Sequence, residues 1–118
     1  MYNYDEAINL LIVKFPSLRI IYEDDVDYYE GLPYLFYESI FVKYIMDRIK
    51  SYNEIELSFI FDFIEDILSN GDERIKNLVE VSIIESFYYE ESFKEFNDFL
   101  SKFYGILTAK SVKDCLFK

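Results

Sequence analysis

Histidine is absent from this chain of 118 residues, and cysteine occurs once, at Cys115. Histidine is the commonest general base near neutral pH and a common metal ligand, so its absence removes the usual centre of hydrolytic and metal sites. The lone cysteine has no histidine to activate it. The three glycines are scattered and form no phosphate-binding loop. We therefore expect no enzyme activity and no catalytic, cofactor-binding or metal-binding residues.

Long apolar runs are also missing. No stretch approaches the roughly 18 apolar residues of a membrane span, and the first residues lack the basic region that opens a secretion signal. The single cysteine cannot form an internal disulfide, as is usual for proteins of reducing compartments. We expect a cytoplasmic protein without a membrane anchor.

Basic residues are scarce. Twelve Lys and Arg stand against twenty-three Asp and Glu, which gives a net charge of −11. Such a surface repels bare nucleic acid and anionic membranes, because binding would bring like charges together. A basic protein is the partner that this charge favours, although a high net charge also serves solubility alone.

The strongest helical pattern begins at Asn53, divides at Gly71 and ends at Tyr88. Apolar residues recur there with a period of roughly 3.6 residues. Asn53 and Glu56 have the spacing of a capping box, Gly71 favours a left-handed helix end, and Asp72 is placed to cap the second helix. This second helix is apolar nearly all round, so we predict that it is the central helix of the fold.

Further patterns precede this hairpin. Asn3 and Glu6 have capping-box spacing and predict a helix over residues 4–14. Pro16 and Pro33 each suit the first turn of a helix, the first one short and the second one long.

Two more helices are predicted after the hairpin. Ser92 and Glu95 again have capping-box spacing, and a phenylalanine stripe follows as far as Gly105. Residues 106–118 predict a short last helix. Its inward residues are predicted to be Val112, Cys115 and Leu116. No strand-like alternation persists, so the sequence predicts an all-α fold: a compact single domain, residues 1–118, of about six or seven helices around the central hairpin.

Residues 22–30 differ from their surroundings. Five acids and three tyrosines occupy these nine positions, and Gly31 and Pro33 follow. Such a composition favours a loop over a buried helix. Two interpretations remain open, a solvated connector and a recognition loop in which carboxylates meet cations of a partner and tyrosines supply contact area. The candidate partner-binding residues are Asp24, Asp25, Asp27, Tyr28, Tyr29 and Glu30.

Carboxylates alone can bind a hard cation. Asp62, Glu65 and Asp66 lie on one predicted helix, and Glu85 on the next could face them. Helical dinuclear metal sites normally add a Glu-x-x-His motif, which this chain lacks, so a carboxylate-bridged metal enzyme is a minor alternative. The main interpretation is that Glu65 and Glu85 pair with a neighbouring cation or a tyrosine hydroxyl.

The segment of residues 61–86 carries a resemblance. Its Phe-Ile-Glu helix, Asn-Gly-Asp turn and Asn-Leu-Val helix ending in Glu, with Phe15-Pro16 and Gly31-Leu-Pro33 before them, resemble a family of small acidic all-helical bacterial proteins, largely uncharacterised. Members of this kind are similar to the immunity proteins of polymorphic and contact-dependent toxin systems. The resemblance implies a helical fold and a protein that binds a toxin domain and blocks it.

Charge and resemblance together predict an immunity protein, an antitoxin that neutralises a cognate bacterial toxin domain through its acidic surface. A nuclease is the expected toxin, because nucleases need cationic grooves for phosphate. The alternative is a phage-type nucleic-acid mimic that inhibits a restriction or CRISPR effector. A mimic should distribute carboxylates along an elongated face, whereas here they cluster in one segment.

Overall fold

The computed structural model describes residues 1–116, and its regular structure is helical apart from one isolated backbone bridge. A 3₁₀ turn, Tyr4–Glu6, leads into the first α-helix. The α-helices are α1 Ala7–Lys14, α2 Ser17–Asp24, α3 Val26–Tyr29, α4 Pro33–Phe36, α5 Val42–Lys50, α6 Glu54–Asn70, α7 Glu73–Val79, α8 Glu85–Phe87, α9 Glu91–Leu100 and α10 Ile106–Leu116. The predicted all-α fold is confirmed.

Two π turns join neighbouring helices into longer rods. Tyr37–Phe41 connects α4 to α5, and Glu80–Ile84 connects α7 to α8. The described residues therefore form eight helical rods, with a Cα radius of gyration of 13.4 Å. A compact globule of this length has a radius of about 13.5 Å. The predicted number of six or seven helices omitted α3.

The rod of α7 and α8 is the central one, as predicted. It contacts α6, α10 and the first π turn. Its apolar side chains lie in the hydrophobic core, and Val81 is exposed. The fully buried residues of this rod are Ile75, Leu78, Val79, Ile83, Ile84 and Phe87.

The predicted helix starts were correct to different degrees. Asn3 and Glu6 form both bonds of the capping box, and the Asp72 carboxylate accepts the Ile75 N–H at 2.9 Å. Asn53 forms its half of the second box by accepting the Glu56 N–H, but the Glu56 carboxylate accepts the Tyr44 hydroxyl instead of returning to the cap.

Gly71 ends α6 in a different way from the one predicted. Its φ of −87° is ordinary for any residue, so no left-handed turn is present. What requires glycine is space, because a Cβ at this position would lie 2.7 Å from the Ile67 carbonyl oxygen and against the Ile75 side chain. The backbone bridge between Tyr2 and Gly71 holds the N-terminus beside this helix end.

The prediction of a loop over residues 22–30 was wrong. Helix α2 continues to Asp24, and α3 forms one further turn. The reason is that two tyrosines supply a buried face: the rings of Tyr22 and Tyr29 pack edge-on against Phe36, with centroid distances of 5.5 and 5.0 Å. The composition of residues 22–30 contained no sign of this contact, because Phe36 lies outside the segment.

The C-terminal helices follow the prediction closely. Helix α9 begins at Glu91, with Glu90 as its N-cap in place of the predicted Ser92. In α10, Val112 is buried and Cys115 is half-buried. The predicted inward orientation of Leu116 and the continuation to Lys118 lie outside the described residues, as does the Ser92 side chain. Among residues 1–116, no helix has both the length and the apolar character needed to cross a membrane.

Candidate functional site

The acidic segment, residues 22–30, lies on the outside of the fold in α2 and α3. Of the six candidate contact residues, Asp24, Asp25, Asp27, Tyr28 and Glu30 are exposed. Tyr29 is only 9% exposed and packs its ring against Tyr28 and Phe36. Tyr29 therefore anchors α3 to the core and offers little surface to a partner.

The carboxylates of this segment have no protein partners. Within residues 1–116, the side chains of Glu23, Asp24, Asp25, Asp27 and Glu30 accept no hydrogen bond and form no ion pair. No Lys or Arg occurs between Arg19 and Lys43 along the chain. The segment is thus a region of uncompensated negative charge.

The same helices expose apolar side chains that the sequence analysis did not single out. Leu18 is the buried residue of α2, whereas Ile20 is 64% exposed and Ile21 is 42% exposed. On α3, Tyr28 is 56% exposed. Helical spacing was a signal for Ile20 only, because a helix that turns Leu18 inward directs the side chain two residues later away from the core. Ile21, three residues later, lies nearer the side of Leu18 and is the less exposed of the two. We call Ile20, Ile21, Asp24, Asp25, Asp27 and Tyr28 the α2–α3 surface.

Among the carboxylates considered for a metal site, Asp66 is engaged in hydrogen bonds within the protein. Both oxygens of Asp66 accept hydrogen bonds, from the Tyr2 hydroxyl and from the Asn70 amide, each at 2.7 Å. The bond to Asp66 raises the pKa of the Tyr2 phenol. Asp62 and Glu85 are exposed. In the part of the chain that the structure describes, no three Asp, Glu or Cys side chains are close enough together to hold a metal ion.

Glu65 has a structural partner that the sequence analysis did not identify. It was predicted to pair with a cation or a tyrosine hydroxyl, but its carboxylate accepts the backbone N–H groups of Leu107 and Thr108 and the Thr108 hydroxyl. Gly105 leaves room for this approach, because a Cβ there would collide with the Glu65 side chain. Glu65 therefore caps α10 from a helix distant in sequence.

Comparisons with known proteins give a family but no activity. A family model described as "Domain of unknown function (DUF7674)" matches residues 8–113. The match covers most of the chain, so the chain belongs to the DUF7674 family. No curated protein and no solved structure matches it.

Proposed function

We propose that this member of the DUF7674 family is a non-enzymatic binding protein whose α2–α3 surface docks on a basic partner protein. The observation that carries the proposal is the combination of exposed Ile20, Ile21 and Tyr28 with neighbouring carboxylates that have no partners. Interfaces are typically built from an apolar and aromatic centre within a polar rim. Exposed isoleucines also occur elsewhere, at Ile55 and Ile106, so the proposal depends on the combination with carboxylates that have no partners.

The charge of the surface indicates the class of partner. The carboxylates of α2 and α3 would attract Lys and Arg side chains over a distance and speed association, while the apolar groups would slow dissociation. Because α2 and α3 are helical and Tyr22 and Tyr29 anchor them to Phe36, the surface is already ordered before binding. Little conformational entropy would be lost on docking.

The partner that fits best is a bacterial toxin domain, and the protein is then an immunity protein acting in the cytoplasm. A nuclease carries a cationic groove for phosphate, and an acidic surface with an apolar centre would occlude that groove. The resemblance of residues 61–86 to a family similar to immunity proteins supports the same proposal.

The first experiment identifies the partner. The protein is used as bait in its native cell at moderate salt, with nuclease treatment, and stoichiometric partners are identified by mass spectrometry. A basic toxin domain supports the proposal, and its inhibition is then measured directly. Capture of a restriction or CRISPR effector would overturn the immunity function in favour of the nucleic-acid mimic.

The second experiment tests the surface on the identified partner. The triple variant D24K/D25K/D27K is compared with E85K/E91K/E95K, which makes the same change in net charge at exposed positions elsewhere. We expect the α2–α3 variant to weaken binding by about a hundredfold, mainly through slower association and a smaller salt dependence. Equal weakening by both variants would show that overall charge matters and the α2–α3 surface does not.

A further inference from the structure

A cleft opens beside the α2–α3 surface. Its volume is about 390 Å³, and it lies between the first turn of the chain with α1 on one side and α2 with the start of α4 on the other. Ile8, Ile12 and Pro33 provide apolar lining, and of these Ile12 and Pro33 are buried. The volume lies within the range of small ligand sites, which is about 300–1,000 Å³.

Two carboxylates from distant parts of the sequence line this cleft. Asp5 belongs to the 3₁₀ turn and Glu30 follows α3, and neither forms a hydrogen bond or an ion pair through its side chain within the described residues. None of the lining residues is Lys or Arg. The cleft thus combines an apolar wall with acidic groups that lack a counter-charge, which suits a side chain with an aliphatic stem and a cationic head.

A second cleft on the chain shows what a compensated site looks like. It has a volume of about 450 Å³ and contains Asp62 and Asp66, but Lys14 lines it as well. Asp66 already accepts two hydrogen bonds. The cleft with Asp5 and Glu30 differs from this one in having no cation among its lining residues.

Tyrosines favour arginine over lysine in this position. Tyr4 and Tyr22 line the cleft, and a planar guanidinium stacks on aromatic rings and bonds carboxylates in a fixed geometry. The chain itself uses such packing, because the Arg48 guanidinium lies 4.0 Å from the centroid of the Tyr44 ring. On Tyr4 the chain's own Arg74 guanidinium already lies 4.3 Å from the ring centroid, so an incoming arginine would use the opposite face of this ring or the Tyr22 ring.

We propose that this cleft receives an arginine side chain of the basic partner, with Asp5 and Glu30 binding the guanidinium and Ile8 and Ile12 contacting the stem. The inference rests on the proposed function, because it names how the same partner is recognised. Glu30 connects the two, since it belongs to the acidic segment and lines the cleft.

The test uses an arginine probe in place of the partner. N-acetyl-arginine methylamide is titrated into the full chain while the methyl resonances of Ile8 and Ile12 are followed by NMR. We expect saturable shifts with a dissociation constant on the order of millimolar. The neutral citrulline analogue should produce none, and the lysine analogue should bind more weakly.

Variants locate the binding. Asp5→Asn and Glu30→Gln should each weaken binding of the arginine probe by about threefold to fivefold, as expected for exposed charge pairs. Asp24→Asn is the matched control, because it removes an unpaired exposed carboxylate that does not line the cleft. Equal binding of citrulline or lysine, or an equal effect of Asp24→Asn, would overturn the proposal.

The two proposals fail separately. One outcome is that D24K/D25K/D27K weakens binding of the partner but the arginine probe leaves the methyl resonances of Ile8 and Ile12 unchanged. The cleft assignment is then wrong and the proposed function stands. If the probe binds in the cleft but the triple variant binds the partner normally, the assignment of the α2–α3 surface is wrong.

Discussion

The carboxylate of Glu65 accepts both the backbone N–H and the hydroxyl of Thr108, at 2.8 and 2.9 Å. A third bond comes from the Leu107 N–H at 3.1 Å. Because the first amides of a helix lack partners within the helix, a carboxylate from α6 here performs the task of a local N-cap for α10. Thr108 is fully buried, so its groups cannot turn to water instead.

We expect Glu65→Ala to lower the free energy of unfolding by about 2–3 kcal/mol, because it leaves buried donors without acceptors. Glu65→Gln should cost less, since one carbonyl oxygen can still accept. Urea unfolding followed by circular dichroism measures both. Glu85→Ala is the control at an exposed position and should stay within about 0.5 kcal/mol of the parent chain. An unchanged midpoint for Glu65→Ala would contradict the capping role.

Stability should fall at alkaline pH. Burial raises the pKa of the Tyr37 and Tyr104 phenols well above the ordinary value of 10.0. Their protonated forms are thus favoured in the folded state, and the associated stability is complete below pH 10 and is lost as the pH rises through the folded pKa values. Between pH 10 and its folded pKa, each tyrosine should contribute a slope of up to about 1.4 kcal/mol per pH unit.

The variant Tyr37→Phe separates this effect from the hydrogen bond. It removes the bond from the phenol to the Ala7 carbonyl, which is 2.7 Å long, and should cost about 1 kcal/mol at neutral pH. It should also reduce the slope with which the free energy of unfolding falls at alkaline pH, by the contribution of one tyrosine. Val79→Ala, a buried position without a titrating group, should lower stability at every pH and leave the slope unchanged. A Tyr37→Phe slope equal to that of the parent chain would refute the assignment.

At two glycines, the loss of stability on substitution by alanine and by asparagine should follow opposite orders. Gly31 has a φ of +75° and open space around it, so Gly31→Ala should cost about 1 kcal/mol through backbone strain alone and Gly31→Asn less. At Gly71 the backbone is relaxed but crowded, so Gly71→Asn should cost at least as much as Gly71→Ala, about 1–3 kcal/mol. Unfolding midpoints of the four variants test this, and a smaller loss for Gly71→Asn than for Gly71→Ala would disprove the role of space.

The exposed isoleucines of α2 should matter little for folding. Ile20→Ser is expected to change stability by no more than about 0.5 kcal/mol, whereas Leu18→Ala, on the inner side of the same helix, should cost about 2–4 kcal/mol. Thermal and urea unfolding provide the comparison. A large loss for Ile20→Ser would mean that this residue serves the core, which would remove one support of the α2–α3 surface.

Sequence reasoning succeeded where the determining contacts are local. The caps at Asn3 and Asp72 join groups three residues apart, and the apolar period of the central helix is visible in any short window. It failed where the contact lies outside the stretch that was considered. Glu65 and Thr108 lie 43 positions apart, and Phe36, the aromatic anchor of the acidic segment, lies beyond the end of that segment.

For the candidate site, the sequence indicated the charge of the segment but not which of its side chains are exposed. The composition of residues 22–30 marked the acids in advance, but which tyrosine is buried depends on the packing of α3 against Phe36. The cleft with Asp5 and Glu30 could not be predicted either, because only the fold brings the first turn of the chain beside the end of α3. That these residues bind a partner stays a prediction.

The two π turns, Tyr37–Phe41 and Glu80–Ile84, are in contact with each other. A π turn holds one residue more than an α-helical turn, so everything after it on its rod is rotated by roughly 100° relative to an uninterrupted helix. Deletion of one residue at either π turn would let that turn close as a regular α-helical turn and leave the second half of the rod in its present orientation. Closing the turn without a deletion would instead rotate that half out of phase with its neighbour. Each π turn is therefore the place where its rod holds an extra residue without changing the face that packs in the core.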